Sequence, residues 1–320
     1  MSIYEEIKNF PNQLVWHPEF INAGSLRNFS NIMVVGMGGS NLAAGLIKKL
    51  KPTLSITEHR NYGLPRMSDE DRNRTLFVIS SYSGETEETL SALEEAMRDD
   101  MNVAIITGGG KLLSVAKENR LPFIELPEKN MHPRMALGYS FVALLTILGE
   151  KDIISDARSV SKMIALDKCE GQGQKIAEQI NDSIPLIYSA ENNYGIAYNW
   201  KIRINETGKF PAFYSLLPES AHNELASFSA KLSPKFRNFC IIILCCPDDH
   251  PRVTKKIGAL EKIFRHNGSV VIRVTEVAEN MMLRIFYSIL IADYASYYLA
   301  QKHGFNPDES MLIEDFKRMI

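Results

Sequence analysis

Short, continuously apolar runs rich in β-branched residues recur along the chain, and segments with helical spacing separate them. Four runs lie in the first third of the chain and four more in its second half. They are Ile32–Gly36, Leu54–Glu58, Thr75–Ser81 and Val103–Thr107, followed by Pro185–Ser189, Pro211–Leu217, Phe239–Cys246 and Ser269–Val274. Because these runs are continuously apolar instead of alternating with polar residues, they predict strands of parallel sheets covered by helices on both faces.

The segments between the runs repeat their apolar residues with helical spacing, as in Glu85–Asp100 and Glu279–Gly304. Residues 131–180 have a helical pattern and no strand. The pattern therefore predicts an α/β protein of two doubly wound parallel-sheet domains joined by helices. We expect residues 1–150 to form the first domain and residues 151–320 to form the second, since 320 residues suffice for two domains.

The composition is that of an ordinary globular protein and narrows the possible functions. The chain is 45% hydrophobic and 23% charged, with a net charge of -2, so we expect no general attraction to nucleic acid or to an acidic membrane. The N-terminus lacks a secretory pattern and no apolar run approaches membrane-spanning length, so a cytoplasmic protein is expected. The four cysteines include no C-x-x-C pair, and we expect core packing and no metal site or cofactor.

Glycines and hydroxyl-bearing residues follow two of the predicted strands. The candidate ligands are Gly38, Gly39 and Ser40 after the first strand, and Ser81, Ser83 and Thr86 after the third. In open α/β sheets ligands bind beyond the carboxyl ends of the strands. A helix N-terminus at that place offers free N–H groups and a partial positive charge, which favour a phosphate. The sequence predicts a phosphate site there, provided that Glu85, Glu87 and Glu88 point away.

Three other interpretations apply to the glycine-rich and hydroxyl-rich turns of the first half. Ser83 or Thr86 alone is more often a helix N-cap that forms a capping box with a nearby glutamate. The first turn also gives a partial dinucleotide fingerprint, G-x-G-x-x-N, with Glu58 about 20 residues further on. A P-loop is absent, because leucine follows the GGGK at Gly108–Lys111. A phosphate site without nucleotide motifs indicates a phosphorylated metabolite.

Titratable residues crowd around one predicted strand of the second half. Glu206, Lys209, Glu219, His222 and Glu224 flank the apolar run PAFYSLL. Each has an ordinary interpretation when it is taken alone: the glutamates as solvated or structural residues and the histidine as a loop or capping residue. Together they also form the kind of set that transfers protons in an enzyme.

Several longer motifs are similar to one enzyme family. VVGMGGS and SYSGETEETL resemble the first half of a sugar isomerase (SIS) domain protein. HPRMALGY, INETGKFPAF, PESAHNE and the C-terminal YYLAQKHGFNPDES resemble the archaeal-type bifunctional phosphoglucose/phosphomannose isomerases, in that family's order. GMGGS or SGET alone would mark only the SIS fold, whereas PESAHNE after an upstream Asn-Glu is much more specific. The resemblance implies two SIS-like domains.

The resemblance also implies roles for individual residues. Glu206 would be the catalytic base, and His222 would open the sugar ring, reaching the site from the partner subunit of a homodimer. Arg134 would stabilise the enediolate, and Lys302 would assist ring opening. The hydroxyl groups of Ser40, Ser81, Ser83 and Thr86 would hold the phosphate. This chain has His132 where the family usually has glutamine, and Gly208 in the turn after the base.

The expected activity is therefore the interconversion of glucose 6-phosphate and mannose 6-phosphate with fructose 6-phosphate, through a cis-enediolate and without a cofactor. Two alternatives remain open at this point. One is an isomerase or epimerase of another sugar phosphate on the same fold. The other is a non-catalytic sugar-phosphate sensor, which would need the phosphate site but not Glu206, His222 and Arg134 together.

Overall fold

The computed structural model describes residues 1–127, 130–228, 238–275, 278–309 and 311–319, without the side chains of residues 311, 314 and 317. The chain forms two compact units. The first contains Met1 and Lys8–Met163, and the second contains Ser2–Ile7 and Ile164–Ile320. The domain boundary expected after residue 150 falls at the start of helix α7, Lys151–Ser161, which lies in the first unit.

A five-stranded parallel sheet forms the centre of the first unit. Its strands are β1 Asn31–Val35, β2 Ser55–His59, β3 Thr75–Ser81, β4 Asn102–Thr107 and β5 Phe123–Glu125, in the spatial order β2-β1-β3-β4-β5. The helices are α1 Ile3–Leu14, which the division crosses after Ile7, then α2 Leu42–Leu50, α3 Asp69–Arg74, α4 Glu87–Arg98, α5 Gly110–Glu118, α6 Leu137–Ile147 and α7. Every residue of β3 is buried, as expected for a central strand covered on both faces.

A four-stranded parallel sheet forms the centre of the second unit. Its strands are β6 Ile184–Ala190, β7 Phe213–Leu217, β8 Phe239–Cys245 and β9 Val270–Thr275, in the order β7-β6-β8-β9. The helices are α8 Leu166–Ile180, α9 Tyr194–Glu206, α10 Ser220–Asn223, α11 Pro251–His266, α12 Met281–Lys302 and α13 Met311–Met319. Helix α12 is buried along most of its length, which explains why its sequence is apolar on nearly all sides.

The prediction of parallel sheets covered by helices is confirmed. Each sheet has one switch point, where the chain leaves one strand toward one side and later returns on the other side. In the first sheet this point lies between β1 and β3, and in the second it lies between β6 and β8. None of the helices in the described ranges combines the length and the apolar character needed to cross a bilayer.

Candidate active site

The turn after β1 packs closely against a second turn of the first unit. Gly38–Asn41 forms a 3₁₀ turn before α2. A Cβ atom on Gly39 would lie 2.5 Å from the backbone nitrogen of Arg134, so only glycine allows this approach. The glycine that was predicted to contact a phosphate therefore also brings Arg134 to the same strand ends.

Hydrogen bonds join the turn after β1 to the end of β3. Ser40 Oγ accepts a hydrogen bond from the backbone nitrogen of Tyr82 at 2.9 Å, and the Ser40 carbonyl accepts one from Ser80 Oγ at 2.8 Å. The Ser40 hydroxyl hydrogen is not used in the Tyr82 contact, because an accepting hydroxyl retains its own donor. Ser40 can therefore donate to an anion from a fixed position.

The turn after β3 gathers the other predicted hydroxyl groups. Ser81 Oγ lies 2.8 Å from Thr86 Oγ1 and 3.5 Å from Ser83 Oγ, and it accepts a hydrogen bond from the Gly84 nitrogen at 3.1 Å. Thr86 is the N-cap residue of α4, as the alternative interpretation expected, but its side chain makes no capping hydrogen bond to the helix. Ser83 Oγ accepts from Glu85, which lies before that helix. Neither hydroxyl is committed to capping α4.

Two of the three nearby carboxylates are held by other groups. Glu85 Oε1 accepts a hydrogen bond from the Lys111 nitrogen at 2.7 Å, in the first turn of α5. Glu87 Oε2 accepts one from the Tyr62 hydroxyl at 2.9 Å. These partners turn both carboxylates to groups outside the cluster of hydroxyls, which reduces their repulsion of a phosphate.

The GGGK segment, which does not qualify as a P-loop, supports the turn after β3. Gly84 has a φ of 72° and a Cβ atom added to it would lie 1.9 Å from the Gly109 carbonyl oxygen. The Gly108 nitrogen donates to the Tyr82 carbonyl at 3.0 Å, and the Leu112 nitrogen donates to the Gly84 carbonyl at 3.0 Å. No sequence motif predicted this support, although three consecutive glycines are a signal of close backbone packing.

Arg134 lies in the 3₁₀ turn Pro133–Met135 and is 1% exposed. His132, the residue at which the chain departs from the family pattern, precedes this turn, and its carbonyl accepts a hydrogen bond from Met135 at 2.8 Å. The Met131 nitrogen donates to the Tyr82 hydroxyl at 3.0 Å. The segment that carries Arg134 therefore contacts the turns after β1 and β3, at Gly39 and at Tyr82.

In the second unit Glu206 is the last residue of α9. One turn earlier, Arg203 Nε lies 2.6 Å from Asp293 Oδ1 of α12, with the two side chains only 1% and 2% exposed. Arg203 also donates to Asn199 Oδ1 at 2.6 Å. This ion pair ties α9 to α12, and removing one partner would leave a buried charge uncompensated. It holds the end of α9 that carries Glu206.

The turn after Glu206 is closed by several hydrogen bonds. The nitrogens of Thr207 and Gly208 both donate to the Arg203 carbonyl, at 2.9 and 3.1 Å. Lys209 Nζ donates to the Glu206 carbonyl at 2.5 Å and to the Glu309 carbonyl. Gly208, the second departure from the family pattern, therefore lies in a tightly bonded turn.

Lys302 is the exposed last residue of α12 and lies at the same end of the second sheet as Glu206, beside the N-terminal ends of the strands. The ring of its neighbour His303 lies 4.7 Å from the ring of Phe210, and His303 Nε2 is 3.1 Å from the Asn181 carbonyl, just before β6. This is the end of the second sheet at which its strands begin. The structure therefore brings Glu206 and Lys302 to the N-terminal end of the strands of the second sheet.

His222 lies at the opposite end of the second sheet, where the strands end. It is an exposed residue of α10, which follows the carboxyl end of β7. Helix α9 connects the parallel strands β6 and β7, so it runs back toward the end of the sheet where the strands begin. Its 13 residues span roughly 20 Å at 1.5 Å per residue. Glu206 and His222 of one copy therefore lie at opposite ends of the strands of this sheet.

The two remaining glutamates of this region have side-chain partners. Glu224 accepts hydrogen bonds from the hydroxyl groups of Tyr188, at 2.8 Å, and Ser215. Burial, and then the bond to Glu224, raise the pKa of the Tyr188 hydroxyl, so it stays a proton donor at neutral pH. Glu219 accepts from Asn223 at 3.2 Å. These contacts agree with the structural roles predicted for both glutamates.

Comparisons with known proteins extend over the whole chain. A family profile described as "Bacterial phospho-glucose isomerase C-terminal SIS domain" matches residues 170–320. The chain is 34% identical, over all of its length and 98% of the relative, to a bifunctional phosphoglucose/phosphomannose isomerase of Aquifex aeolicus. It is 30% identical, with the same coverage, to a protein of that description from Thermoplasma acidophilum.

A solved structure shows the same fold. The glucosamine-6-phosphate deaminase of Thermotoga maritima matches with a TM-score of 0.70 and 18% identity, over 96% of this chain and 97% of that one. At this identity the likeness concerns the fold alone. It agrees with the two parallel sheets described above.

Proposed function

The chain belongs to the bifunctional phosphoglucose/phosphomannose isomerase family, and we propose that it interconverts glucose 6-phosphate and mannose 6-phosphate with fructose 6-phosphate. The full-length similarity at 34% identity is the observation that carries this proposal. The cluster of hydroxyl groups after β1 and β3 supports it, because such a cluster at strand ends suits the phosphate that all three sugars share.

Glu206 is the proposed catalytic base. The reaction removes the C2 proton of the aldose beside the C1 carbonyl and returns a proton to C1, so one carboxylate can serve both steps. Such proton transfer contributes roughly 10²–10⁴-fold to the rate. Glucose 6-phosphate and mannose 6-phosphate give the same enediolate, because they differ only at C2. One base can therefore act on both epimers when each presents its C2 proton.

Three other residues have proposed roles around this proton transfer. The guanidinium of Arg134 would stabilise the negative charge of the enediolate, which requires a donor fixed in advance. His222 would donate a proton to the ring oxygen, since sugar phosphates are mostly cyclic in water and histidine has an ordinary pKa of about 6.5. Lys302 would assist ring opening. The reaction moves only protons and needs no redox cofactor.

A homodimer that shares its active sites is part of the proposal. Glu206 and His222 of one copy lie at opposite ends of the strands of the second sheet. A site that uses both residues is therefore incomplete unless a second copy supplies His222. The proposed cellular setting is sugar-phosphate metabolism in the cytoplasm.

A coupled assay of the purified protein tests the activity. Fructose 6-phosphate is supplied with EDTA, and glucose 6-phosphate and mannose 6-phosphate are measured separately. We expect both products from the unaltered chain and a loss of kcat of about 10³-fold in Glu206→Gln. Formation of one product alone would limit the enzyme to one epimer. Neither product from folded protein would overturn the proposal and leave another sugar phosphate, or a sensor, as the function.

Glu224→Gln is the matched control for Glu206→Gln. Both changes remove one carboxylate charge, and Glu224 is engaged with Tyr188 and Ser215. We expect Glu224→Gln to lower thermal stability and to keep kcat within about threefold of the parent, since it has no proposed role in proton transfer. Equal losses of kcat in the two variants would contradict the assignment of Glu206 as the base.

Subunit exchange tests the shared site. Inactive Glu206→Gln and His222→Ala proteins are mixed under conditions that allow exchange. Mixed dimers should recover one working site out of two, about a quarter of the parent activity at equal amounts and random exchange. Exchange proven by mass spectrometry without any return of activity would contradict the sharing of His222.

A further inference from the structure

A buried glutamine of α1 binds the segment that carries Arg134. Gln13 is 0% exposed. Its Nε2 donates to the Met135 carbonyl at 2.8 Å, and its Oε1 accepts from the nitrogens of Gly138 and Tyr139 at 2.9 and 3.3 Å. A single side chain therefore holds backbone atoms on the residue that follows Arg134 and on the first turn of α6.

The local structure explains why a glutamine is needed at this place. Helix α6 begins at Leu137, and its N-cap residue Ala136 has no side chain that can cap it. The N–H groups of the first turn then need an acceptor from elsewhere, and Gln13 supplies it. A Cβ atom on Gly138 would lie 2.6 Å from the Cβ of Gln13, so the glycine allows the glutamine to approach.

The same segment is held at two further points. The backbone of Pro133 and Arg134 lies against Gly39, and the Met131 nitrogen donates to the Tyr82 hydroxyl at 3.0 Å. Gly39 and Tyr82 belong to the turns that carry the candidate phosphate ligands. Gln13 is an attachment that comes from outside those turns, and no motif of the sequence pointed to it.

We propose that Gln13 is a positioning residue for Arg134. It fixes the Met131–Tyr139 segment, so that the guanidinium is already in place when charge develops on the substrate. The inference rests on the proposed function, because the role of Arg134 belongs to it. Stabilisation of a transient charge depends on donors that do not have to move. Loss of Gln13 should therefore lower kcat more than it weakens substrate binding.

Two substitutions of Gln13 and one control test this inference. Gln13→Met keeps the volume and removes the hydrogen bonds to Met135, Gly138 and Tyr139, and we expect kcat to fall roughly 10- to 100-fold with KM changed less than about threefold. Gln13→Glu keeps an acceptor for α6, and a carboxyl buried in its neutral form can still donate to Met135, so its loss of kcat should be smaller. Asn12→Asp adds a charge at the neighbouring exposed position and should leave kcat unchanged.

A double-variant cycle separates positioning from general stability. If Gln13 acts through Arg134, adding Gln13→Met to Arg134→Ala should lower kcat by less than about twofold more. Losses that multiply would overturn the proposal. So would a Gln13→Met protein with a lower melting temperature and the kcat of the parent. If Gln13→Met does not fold, Gln13→Glu takes its place in the cycle and is judged by the same outcomes.

Failure of the proposed function would look different. An unaltered protein that folds but turns over neither hexose phosphate would overturn the function and, with it, the role given to Gln13. An active parent enzyme with independent effects of Gln13 and Arg134 would overturn the role of Gln13 alone.

Discussion

The switch points of the two sheets have the same topology and different chemistry. After β1 and β3 the first unit presents glycines and hydroxyl groups, among them Gly39, Ser40 and Ser81. After β6 and β8 the second unit presents Asp249, which is 6% exposed. One oxygen of Asp249 accepts from Asn193 Nδ2 at 2.7 Å and the other accepts from the Cys246 nitrogen at 2.9 Å.

The two switch points differ in what occupies their hydrogen-bond donors. In both units, the turn after the first strand of the switch point carries a buried asparagine just before a helix, Asn41 in one and Asn193 in the other. In the second unit the protein's own carboxylate takes hydrogen-bond donors at that place. In the first unit glycine and serine leave donors for an anion from solution. The difference lies in a few side chains of the turns, while the sheets remain alike.

The largest effect should come from giving the first switch point the charge of the second. Ser81→Asp places a carboxylate within the hydroxyl cluster. A charge about 4 Å from another interacts with about 4 kcal/mol at an effective dielectric constant of 20, so kcat/KM should fall about 10³-fold through KM. Steady-state kinetics measure it. Ser155→Asp, on the exposed face of α7, controls for added charge, and an unchanged KM in Ser81→Asp would place the phosphate elsewhere.

The next effect concerns the close packing at the first switch point. Gly84→Ala puts a methyl group 1.9 Å from the Gly109 carbonyl, at a φ of 72°, and should lower the free energy of unfolding by about 2–4 kcal/mol. Gly171, inside α8 of the second unit, has no atom within 4 Å of an added Cβ. Gly171→Ala should raise stability by up to about 1 kcal/mol. Urea unfolding measures both, and changes of equal sign would contradict this reading of Gly84.

A smaller effect is expected from emptying the second switch point. Asp249→Ala leaves Asn193 and the Cys246 nitrogen without their acceptor and should lower the free energy of unfolding by about 1–3 kcal/mol. The activity should stay that of the parent. Asp248→Ala, a more exposed neighbour whose carboxylate lies 3.8 Å from Arg284, should cost less than about 1 kcal/mol. Loss of activity in Asp249→Ala without loss of stability would give this switch point a function of its own.

The smallest effect tests a charge cluster on α11 of the second unit. Glu261 accepts from Arg265 at 2.9 Å and from Arg273 at 3.0 Å. Burial by itself would raise the pKa of Glu261, but the two arginines outweigh it and hold the pKa below its ordinary value of 4.5. Since the folded pKa is the lower one, this stabilisation is present above pH 4.5 and is lost as the pH falls through the folded value.

Glu261→Gln should therefore destabilise the protein most at neutral pH. We expect less than about 1 kcal/mol at pH 7, because the group is near the surface, and a smaller difference at a pH well below 4.5. Thermal unfolding at the two pH values measures it. A difference that persists undiminished in acid would mean that Glu261 acts through packing and not through charge.

The fold was largely predictable because each predicted apolar run overlaps a strand. Strand β5, Phe123–Glu125, was missed, since three residues between prolines give too short a pattern to recognise. It is fixed instead by its neighbours, pairing with β4 and forming a bridge to Ile21. Contacts that come from distant parts of the chain leave no local pattern.

The candidate site was predictable to the extent that its residues carry recognisable chemistry. The hydroxyl groups of Ser81 and Thr86 meet as expected. The contact of Gln13 with the segment that carries Arg134 was not predicted, because it joins residues 125 positions apart. The order of apolar and polar residues along the chain does not reveal such a partner. The assignments of Glu206, His222, Arg134 and Lys302 as catalytic residues stay predictions.

The order of the strands has a consequence for how the first unit folds. Asn31 of β1 pairs with Thr75 of β3, so the central ladder forms only after β2 and the helices around it have been synthesised. Such non-local closure is slow compared with helix formation. The turns after β1 and β3 face each other only once this ladder exists, so a sugar phosphate bound as proposed would bind folded chains only. At a concentration of about 100 times its Kd it would add about 2.7 kcal/mol to their stability.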